Sequence, residues 1–454
     1  MQRRSAIGST PTGAFRHRLA RKSGLVAALV TSALVVSGCA SAGGGDEGPA
    51  PADSAVDGEL TFLVQGSASA EDATNELLEG FKAAYPDVEV NTEYSATSTW
   101  DTFFTDLQTK IAGGKKYDLI YIPTEGQRLF ASKGIVQPLD EWIERDSDEL
   151  EDFYNDANEK IVDFAREKSS TDGQTYYLPY GFNTMGIYYN KKVFDEAGVE
   201  YPAADWTWED FRATAEAVNS PGERFAFEAR PGYFDGIMPW LLSNGGDILN
   251  SDWDESVANS PENVEAVEFV TSLVDDGLAP VPGGAYDQFA AFEQGKLAMF
   301  GGGAWPWGSL RDSGMAKEDI GIAPWPQNAS GGSPVGWGSQ AMLKDSQNKE
   351  AAWAYIKYLL TPEAQDLIAE TQSFGIVPVR ESSATGAVTT DNTPEGMNYL
   401  YEALDYAVPI PGPDQGLAVQ QAVQDSYLSI LTGNAQAAPA LEELDATIAD
   451  ELGQ

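Results

Sequence analysis

The sequence predicts an α/β fold in which a mostly parallel sheet is covered by helices on both faces. Apolar strand patterns occur at Glu59–Gln65, Val88–Tyr94 and Tyr117–Ile122. Between these strands, apolar residues recur at helical spacing over residues 71–84 and 99–112. Strands that alternate with helices of this length are typical of a parallel sheet with helical crossovers.

Several later helices carry start signals. Ser260 and Thr361 each precede a proline, which places a capping hydroxyl before a proline at the first helical position. Thr207 lies three residues before an aspartate, which is the spacing of a capping box. We therefore expect Trp208, next to this cap, to stabilise the local structure rather than to contact a ligand. Trp353 lies on the apolar face of a helix and is expected in the core.

The first 38 residues have the features of a secretory signal peptide. Six basic residues and no acidic ones precede an apolar run from Leu25 to Val36, which is too short to span a membrane. Residues 36–39, Val-Ser-Gly-Cys, resemble a bacterial lipobox, which implies that Cys39 becomes the lipidated first residue of the mature protein. A lone cysteine placed there by chance is the alternative.

The segment after Cys39 is expected to be a flexible tether. Residues 39–58 consist largely of Gly, Ala, Pro, Ser and Asp, and lack the apolar residues that a core requires. Together with a lipidated cysteine, this composition predicts a body held on the extracytoplasmic face of the cell membrane.

Charge and histidine content exclude several function classes. Removal of residues 1–38 takes six of the 28 basic residues and none of the 70 acidic ones, so the formal charge falls from −42 to −48. Such a chain repels phosphate backbones, which argues against nucleic acid as a partner. The single histidine, His17, lies in the removed segment, which excludes a Ser-His-Asp triad and imidazole or thiolate metal sites. Oxygen-ligated cations remain open, but the one spacing like a calcium loop, at residues 250–254, lacks the glycine and the closing glutamate, so we expect no metal and no cofactor.

Four segments, taken in order along the chain, resemble the extracellular solute-binding proteins of sugar ABC transporters, the maltose-binding-protein group. They are KYDLIYIPTE (116–125), LPYGFNTMGIYYNK (178–191), FAAFEQGKLAM (289–299) and WAYIKYLLTPEAQ (353–365). Each segment alone is a weak signature, but their shared order is a strong one. The region after Glu381 matches less well.

The resemblance implies a two-lobed, periplasmic-binding-protein-like α/β fold with mixed sheets and about three chain crossings at a hinge. It implies an N-lobe of residues 59–182 with 325–374 and a C-lobe of residues 183–324 with 375–454. The implied function is that of a monomeric receptor without enzymatic activity. It would close around a neutral mono- or oligosaccharide and deliver it to the permease subunits of an ABC transporter.

Tryptophans are concentrated in one part of the chain. Trp305, Trp307, Trp325 and Trp337 fall within 33 residues of Gly/Pro-rich sequence, although the chain has only 11 tryptophans. A flat ring buries the apolar face of a pyranose, and nearby amides and carboxylates bind its hydroxyls. Ordinary core packing is the alternative for each ring. The resemblance matches Trp305 to the sugar-stacking ring of the family's Gly-x-Trp motif, while Trp325 could instead pack at a crossing.

Other candidate ligand contacts surround these rings. Glu125 follows a strand at its carboxyl end, where open α/β sheets place ligands, although a solvated loop glutamate is the alternative. The resemblance adds Tyr233 from the second lobe, with Trp240 as its substitute. The remaining candidates are Asn183, Trp100 and Ser67. For Arg380 we favour an ion pair with a carboxylate over a ligand contact.

Two other functions are also compatible with the sequence. The same fold could bind a polyamine, a peptide or a glycerol phosphate. A cationic solute would require converging carboxylates, and a phosphorylated one would require arginines near the cleft. The enzyme alternative is a surface glycosidase with two carboxylates, but the pattern lacks the eight βα units of the usual barrel.

Overall fold

The computed structural model describes residues 48–51, 55–65, 68–95, 97, 99–283, 286–371, 374–389 and 392–454. The predicted signal peptide, Cys39 and Ser67 lie outside these residues. The strands are β1 (Gly58–Gln65), β2 (Val88–Ser95), β3 (Leu119–Pro123), β4 (Gly181–Asn183), β5 (Gly186–Asn190), β6 (Phe225–Phe227), β7 (Leu297–Gly302), β8 (Ile320–Pro324), β9 (Pro334–Met342), β10 (Val377–Pro378) and β11 (Val408–Pro409).

Helices occupy most of the chain between the strands. They are α1 (Ala68–Ala84), α2 (Trp100–Ala112), α3 (Thr124–Ser132), α4 (Asp140–Arg145), α5 (Ser147–Asp156), α6 (Glu159–Lys168), α7 (Lys191–Ala197), α8 (Trp208–Val218), α9 (Met238–Ser243), α10 (Pro261–Asp275), α11 (Gln288–Glu293), α12 (Trp305–Ser313), α13 (Lys349–Leu359), α14 (Pro362–Thr371), α15 (Glu381–Thr389), α16 (Asn398–Glu402), α17 (Gly416–Leu431) and α18 (Ala437–Leu452). A π-helical turn, Tyr233–Ile237, precedes α9, and 3₁₀ turns occur at Lys317–Asp319 and Ala403–Asp405.

The first part of the chain forms the predicted alternation of strands and helices. β1 runs parallel to both β2 and β3, and its register pairs Gly58 with Val88 and Gln65 with Ser95. Helix α1 crosses between β1 and β2, and its Leu77 is buried. The crossover pattern places the carboxyl ends of the three strands at one edge of the sheet.

The predicted helix starts are confirmed where the caps are described. Ser260 accepts a hydrogen bond from the backbone N–H of Asn263 at the start of α10. Thr207 and Asp210 form a complete capping box at the start of α8. Trp208, next to that cap, is buried with its ring stacked 4.4 Å from the ring of a phenylalanine in α10. Its role is therefore structural, as expected.

The larger sheet is mixed rather than mostly parallel. Its described strands follow the order β10-β4-β9-β3-β1-β2, and β11 pairs with β9. β9 lies between β3 and β4 and is antiparallel to both. The parallel expectation therefore holds for β1 to β3 and fails at β9, a strand that enters this sheet more than 200 residues later in the chain.

The smaller sheet forms the sheet of the second lobe in this two-lobed α/β fold. Its described strands follow the order β6-β7-β5-β8, with β5 antiparallel to β7 and β8. The chain passes from the larger to the smaller sheet between β4 and β5, and returns between β8 and β9. Short connections of this kind are where one lobe can rotate against the other.

Part of the segment predicted as a tether contacts the folded body. The backbone N–H of Ala50 donates to the carboxylate of Glu350 on α13 at 2.8 Å. The carbonyl of Ala50 accepts a hydrogen bond from Arg145 on α4 at 2.7 Å. Arg145 also binds Glu350 directly at 2.7 Å. These bonds fix Ala50 against the elements that pack on the larger sheet.

Candidate functional site

A cavity of about 590 Å³ is lined by elements of both sheets. Strands β1, β3, β4 and β9 of the larger sheet supply one wall. The opposite wall comes from segments on the side of the smaller sheet. They are residues 230–235 after β6, the start of α11 before β7, and the start of α12 after β7. This volume lies in the range of small-molecule sites, which are concave and mostly apolar with a few placed polar groups.

Trp305 lines the cavity and is positioned by a cradle of small residues. It begins α12, directly after β7 and the turn at Gly303. A Cβ atom at Gly375, where φ is +61°, would lie 2.5 Å from the Cβ of Trp305. The Asn183 side chain joins the two sides of the cradle, since it donates to the carbonyl of Gly375 at 2.8 Å and accepts the N–H of Ala304 at 3.0 Å. Only glycine fits at this contact without displacing the backbone and Cβ of Trp305.

An arginine and an aspartate lie beside a second ring. Phe234 has its ring 6.1 Å from that of Trp305, and both line the cavity. The neighbouring Asp235 forms an ion pair with Arg230, with 2.8 Å between the carboxylate oxygen and the guanidinium nitrogen. Arg230 also approaches the side-chain oxygen of Gln288 at 3.5 Å. The guanidinium is thus already neutralised by a protein carboxylate.

Glu125 stands at the carboxyl end of β3, in the first turn of α3. Its side chain lines the cavity and is only 6% exposed. Burial raises the pKa of Glu125 to about 7, and the negative charge of Asp235 adds to this shift. A carboxyl group poised near neutrality can accept or donate a hydrogen bond to a ligand hydroxyl.

Trp337 and Tyr233 belong to the cavity lining, but their polar side-chain atoms are used inside the protein. The indole N–H of Trp337 donates to Gln127 at 2.9 Å, and its ring stacks on Phe164. The Tyr233 hydroxyl donates to the carbonyl of Pro411 at 3.1 Å. Both side chains are almost fully buried, at 1% and 2% exposed, so they support the cavity wall and offer no hydrogen-bonding group to a ligand.

Trp100 completes the aromatic lining on the side of the larger sheet. It is the first residue of α2, and its ring lies 5.4 Å from that of Tyr121 on β3. Both residues line the cavity. Of the predicted ligand contacts, the structure brings six to the cavity: Trp305, Trp337, Glu125, Tyr233, Asn183 and Trp100.

Two predicted residues lie elsewhere. Trp240 is 1% exposed in an aromatic core, with its ring 5.0 Å from that of Trp325 and 5.2 Å from that of Phe211. Trp307 is also buried and does not line the cavity. It follows Trp305 by two residues in α12, and a helix turns about 200° over two residues, so the two rings point in opposite directions.

Several lining residues were not anticipated from the sequence. They are Gln65, Asp101, Arg230, Phe234, Asp235, Gln288, Phe289, Gln340, Gln420 and Gln424. Arg230 to Asp235 lie in the segment that pointed to Tyr233, so the segment was found but not its charged members. No sequence signal marked α17, which carries Gln420 and Gln424. Arg380 pairs with Asp152 at 2.8 Å and Asp156 at 3.2 Å, which confirms the expected ion pair.

Comparisons with known proteins identify the family of this chain. The family model for the bacterial extracellular solute-binding protein matches residues 67–366. A Brucella abortus protein, named for binding without a stated ligand, is 27% identical over 83% of this chain and 90% of its own. The maltotriose-binding protein of Pyrococcus abyssi is 26% identical over 67% of this chain and 62% of its own.

A solved structure extends the likeness to the fold. The substrate-binding protein of a Listeria monocytogenes ABC transporter, in complex with cycloalternan, superposes with a TM-score of 0.77 at 26% identity. That match covers 87% of this chain and 99% of the Listeria chain. The chain belongs to the family of bacterial extracellular solute-binding proteins.

Proposed function

We propose that the protein captures a neutral mono- or oligosaccharide in the cavity between its lobes and delivers it to an ABC importer. The observation that carries this proposal is the pairing of half-buried aromatic residues with amide and carboxyl groups in one cavity. Trp305, Phe234 and Trp100 supply rings, and Gln65, Gln340 and Glu125 supply polar groups. This combination suits a sugar, which has apolar faces and a rim of hydroxyls.

The relatives support the same ligand class. The Pyrococcus protein is named for maltotriose, and the Listeria protein was solved with cycloalternan. Both ligands are carbohydrates, and both proteins resemble this chain over two thirds of its length or more. We extend the class, rather than either individual sugar, to this protein.

The charges of the lining favour a neutral solute over the alternatives. Arg230 is paired with Asp235, so it does not present a free cation to a glycerol phosphate. Glu125 has its pKa raised to about 7 by burial, which leaves Asp101 as the remaining lining carboxylate, fewer than the converging set that a polyamine would require. The protein would act by binding, closure and release, with no turnover of the solute.

The anchoring and domain boundaries extend the proposal beyond the site. We infer that Cys39 carries lipid and holds a monomeric body at the extracytoplasmic face of the cell membrane. Among the described residues, no helix is both long and apolar enough to cross a bilayer. For the lobes we propose residues 59–182 with 325–374 and 183–324 with 375–454, with rotation at the connections between them. This division follows the sequence resemblance, and it differs from strand pairing at two places: β10 and β11, both beyond residue 374, pair with β4 and β9 of the larger sheet.

A melting screen tests the carbohydrate proposal. Purified protein is unfolded by heat with maltose, maltotriose, lactose, cyclic glucans, spermidine, a peptide mixture and glycerol 3-phosphate. A ligand that binds only the folded state raises the melting temperature. We expect a shift with at least one saccharide, lost in Trp305→Ala and kept in Tyr201→Ala, whose exposed ring lies outside the cavity. A shift with only the charged ligands would contradict the proposal.

A further inference from the structure

Helix α17 brings a part of the chain beyond the family match to the cavity. The match ends at residue 366, and α17 spans Gly416–Leu431. The helix packs against α3 on the side of the larger sheet and against α10 and the π-helical turn Tyr233–Ile237 on the other side. From this position it reaches the cavity with Gln420 and Gln424.

Gln420 has an unusual environment for an amide side chain. It is 7% exposed, and its carboxamide oxygen is shielded from solvent without a hydrogen-bond partner among the described residues. Other described residues also have a buried side-chain polar atom without a partner. Among these, only Gln420 lines the cavity. A buried polar group without a partner destabilises the folded protein, so an acceptor kept beside the cavity points to a ligand donor that pairs with it once the side chain turns toward the cavity.

Gln424 extends the same surface. It lies four residues after Gln420, so the two side chains share one face of the helix. Each carboxamide carries an oxygen that accepts and an NH₂ group that donates. Two such groups side by side match the donor and acceptor capacity of adjacent sugar hydroxyls.

We propose that Gln420 and Gln424 read ligand hydroxyls and determine which saccharide the cavity accepts. This inference rests on the proposed function, since it assigns the polar contacts of the same site. The discrimination follows from burial. A ligand that lacks the matching hydroxyl leaves the Gln420 oxygen desolvated and unpaired, which a site of this kind rejects strongly.

The test compares three isosteric substitutions in one helix. Gln420→Met and Gln424→Met remove the amides from the cavity. Gln421→Met is the matched control, because Gln421 is exposed and its side chain bonds to Asp425 away from the cavity. Each protein is titrated calorimetrically with the saccharide that gives the largest melting shift, and with its mono-deoxy analogues.

We expect Gln420→Met to raise the Kd about tenfold, while the melting temperature of the empty protein stays the same or rises. Gln424→Met should raise the Kd by a smaller factor, and it carries the test if Gln420→Met does not fold. Wild-type protein should bind one deoxy analogue about tenfold more weakly than the parent sugar, and Gln420→Met should lose that difference.

Two results would overturn the inference, and they are distinguishable. If wild-type protein binds a saccharide and both cavity variants match Gln421→Met in Kd, the assignment of these amides is wrong while the proposed function stands. If wild-type protein binds no saccharide in the screen, the proposed function fails and this assignment fails with it.

Discussion

Glu125 shows how the burial of one residue governs its protonation. Its ordinary pKa of 4.5 is raised to about 7, mainly by desolvation and further by Asp235. Because the folded state holds the proton more tightly, this group favours folding below about pH 4.5, and the contribution is lost as the pH rises through about 7. Burial also raises the pKa values of Tyr121 and Tyr233, with a smaller contribution from the charge of Glu125, so both hydroxyls stay neutral.

Glu125→Gln should therefore stabilise the empty protein at pH 8 but not at pH 4.5. The shift corresponds to at most about 3 kcal/mol of unfolding free energy. Urea unfolding at both pH values measures the difference, with the exposed Glu151→Gln as the control. Burial also raises the pKa values of Glu228 and Asp247 to about 7. Because these two groups remain in the variant, its unfolding free energy should still depend on pH. An equal gain at both pH values would contradict this account.

The residue scale also shows the limits of the sequence. Trp305, Trp240 and Trp325 all occur in similar apolar surroundings, and a large aromatic ring suits either a core or a sugar face. Only the fold decides, because it turns Trp240 into the core and leaves Trp305 at the cavity. Gln420 carried no signal at all, since its role depends on a contact between segments far apart in the chain.

At the scale of elements, the turn before α12 and the segment at Gly375 act together to hold Trp305. Gly375→Ala should displace the ring, because Gly375 has φ of +61° and its new methyl would meet Trp305. We expect saccharide affinity to fall at least tenfold, with a loss of about 1–3 kcal/mol in stability.

Gly173→Ala separates the two effects. Gly173 has a similar φ of +78°, but nothing lies within 4 Å of a Cβ atom added there. This variant should lose stability and keep its affinity, as measured by calorimetric titration alongside Gly375→Ala. Equal affinities in the two variants would show that the cradle does not position Trp305.

Local elements were the most predictable part of the fold. β1, β2 and β3 follow apolar patterns, and the caps at Ser260 and Thr207 follow from short-range hydrogen bonding. The antiparallel entry of β9 was not predictable in this way, because strand order depends on contacts between distant residues. The two-lobed fold was anticipated through family resemblance rather than through periodicity.

At the scale of the whole molecule, a contact outside the cavity lining links elements of the two lobes. Trp253 follows α9, whose Trp240 packs on Phe227 of the smaller sheet. The guanidinium of Arg128 lies 4.8 Å from the Trp253 ring, and the ammonium of Lys168 lies 5.5 Å from it. Both cations come from helices on the side of the larger sheet, so this cluster favours the present arrangement of the lobes.

Trp253→Ala should therefore weaken binding without touching the ligand. If the binding-competent arrangement becomes less populated, the apparent Kd rises by the same factor. The loss of one cation–π cluster should raise the apparent Kd by about two- to tenfold. Calorimetry gives the Kd, and small-angle scattering of the empty protein should show a larger radius of gyration than wild type. An unchanged Kd and radius would remove this contact from the closure mechanism.

The central claim is that a saccharide binds between the two sheets, and hydrogen exchange tests it most directly. Backbone exchange is measured with and without the saccharide that gives the largest melting shift. We predict protection in segments from both sides of the cavity, namely residues 230–237, 303–307, 336–340 and 416–424. Protection confined to one sheet, or located away from these segments, would contradict the account.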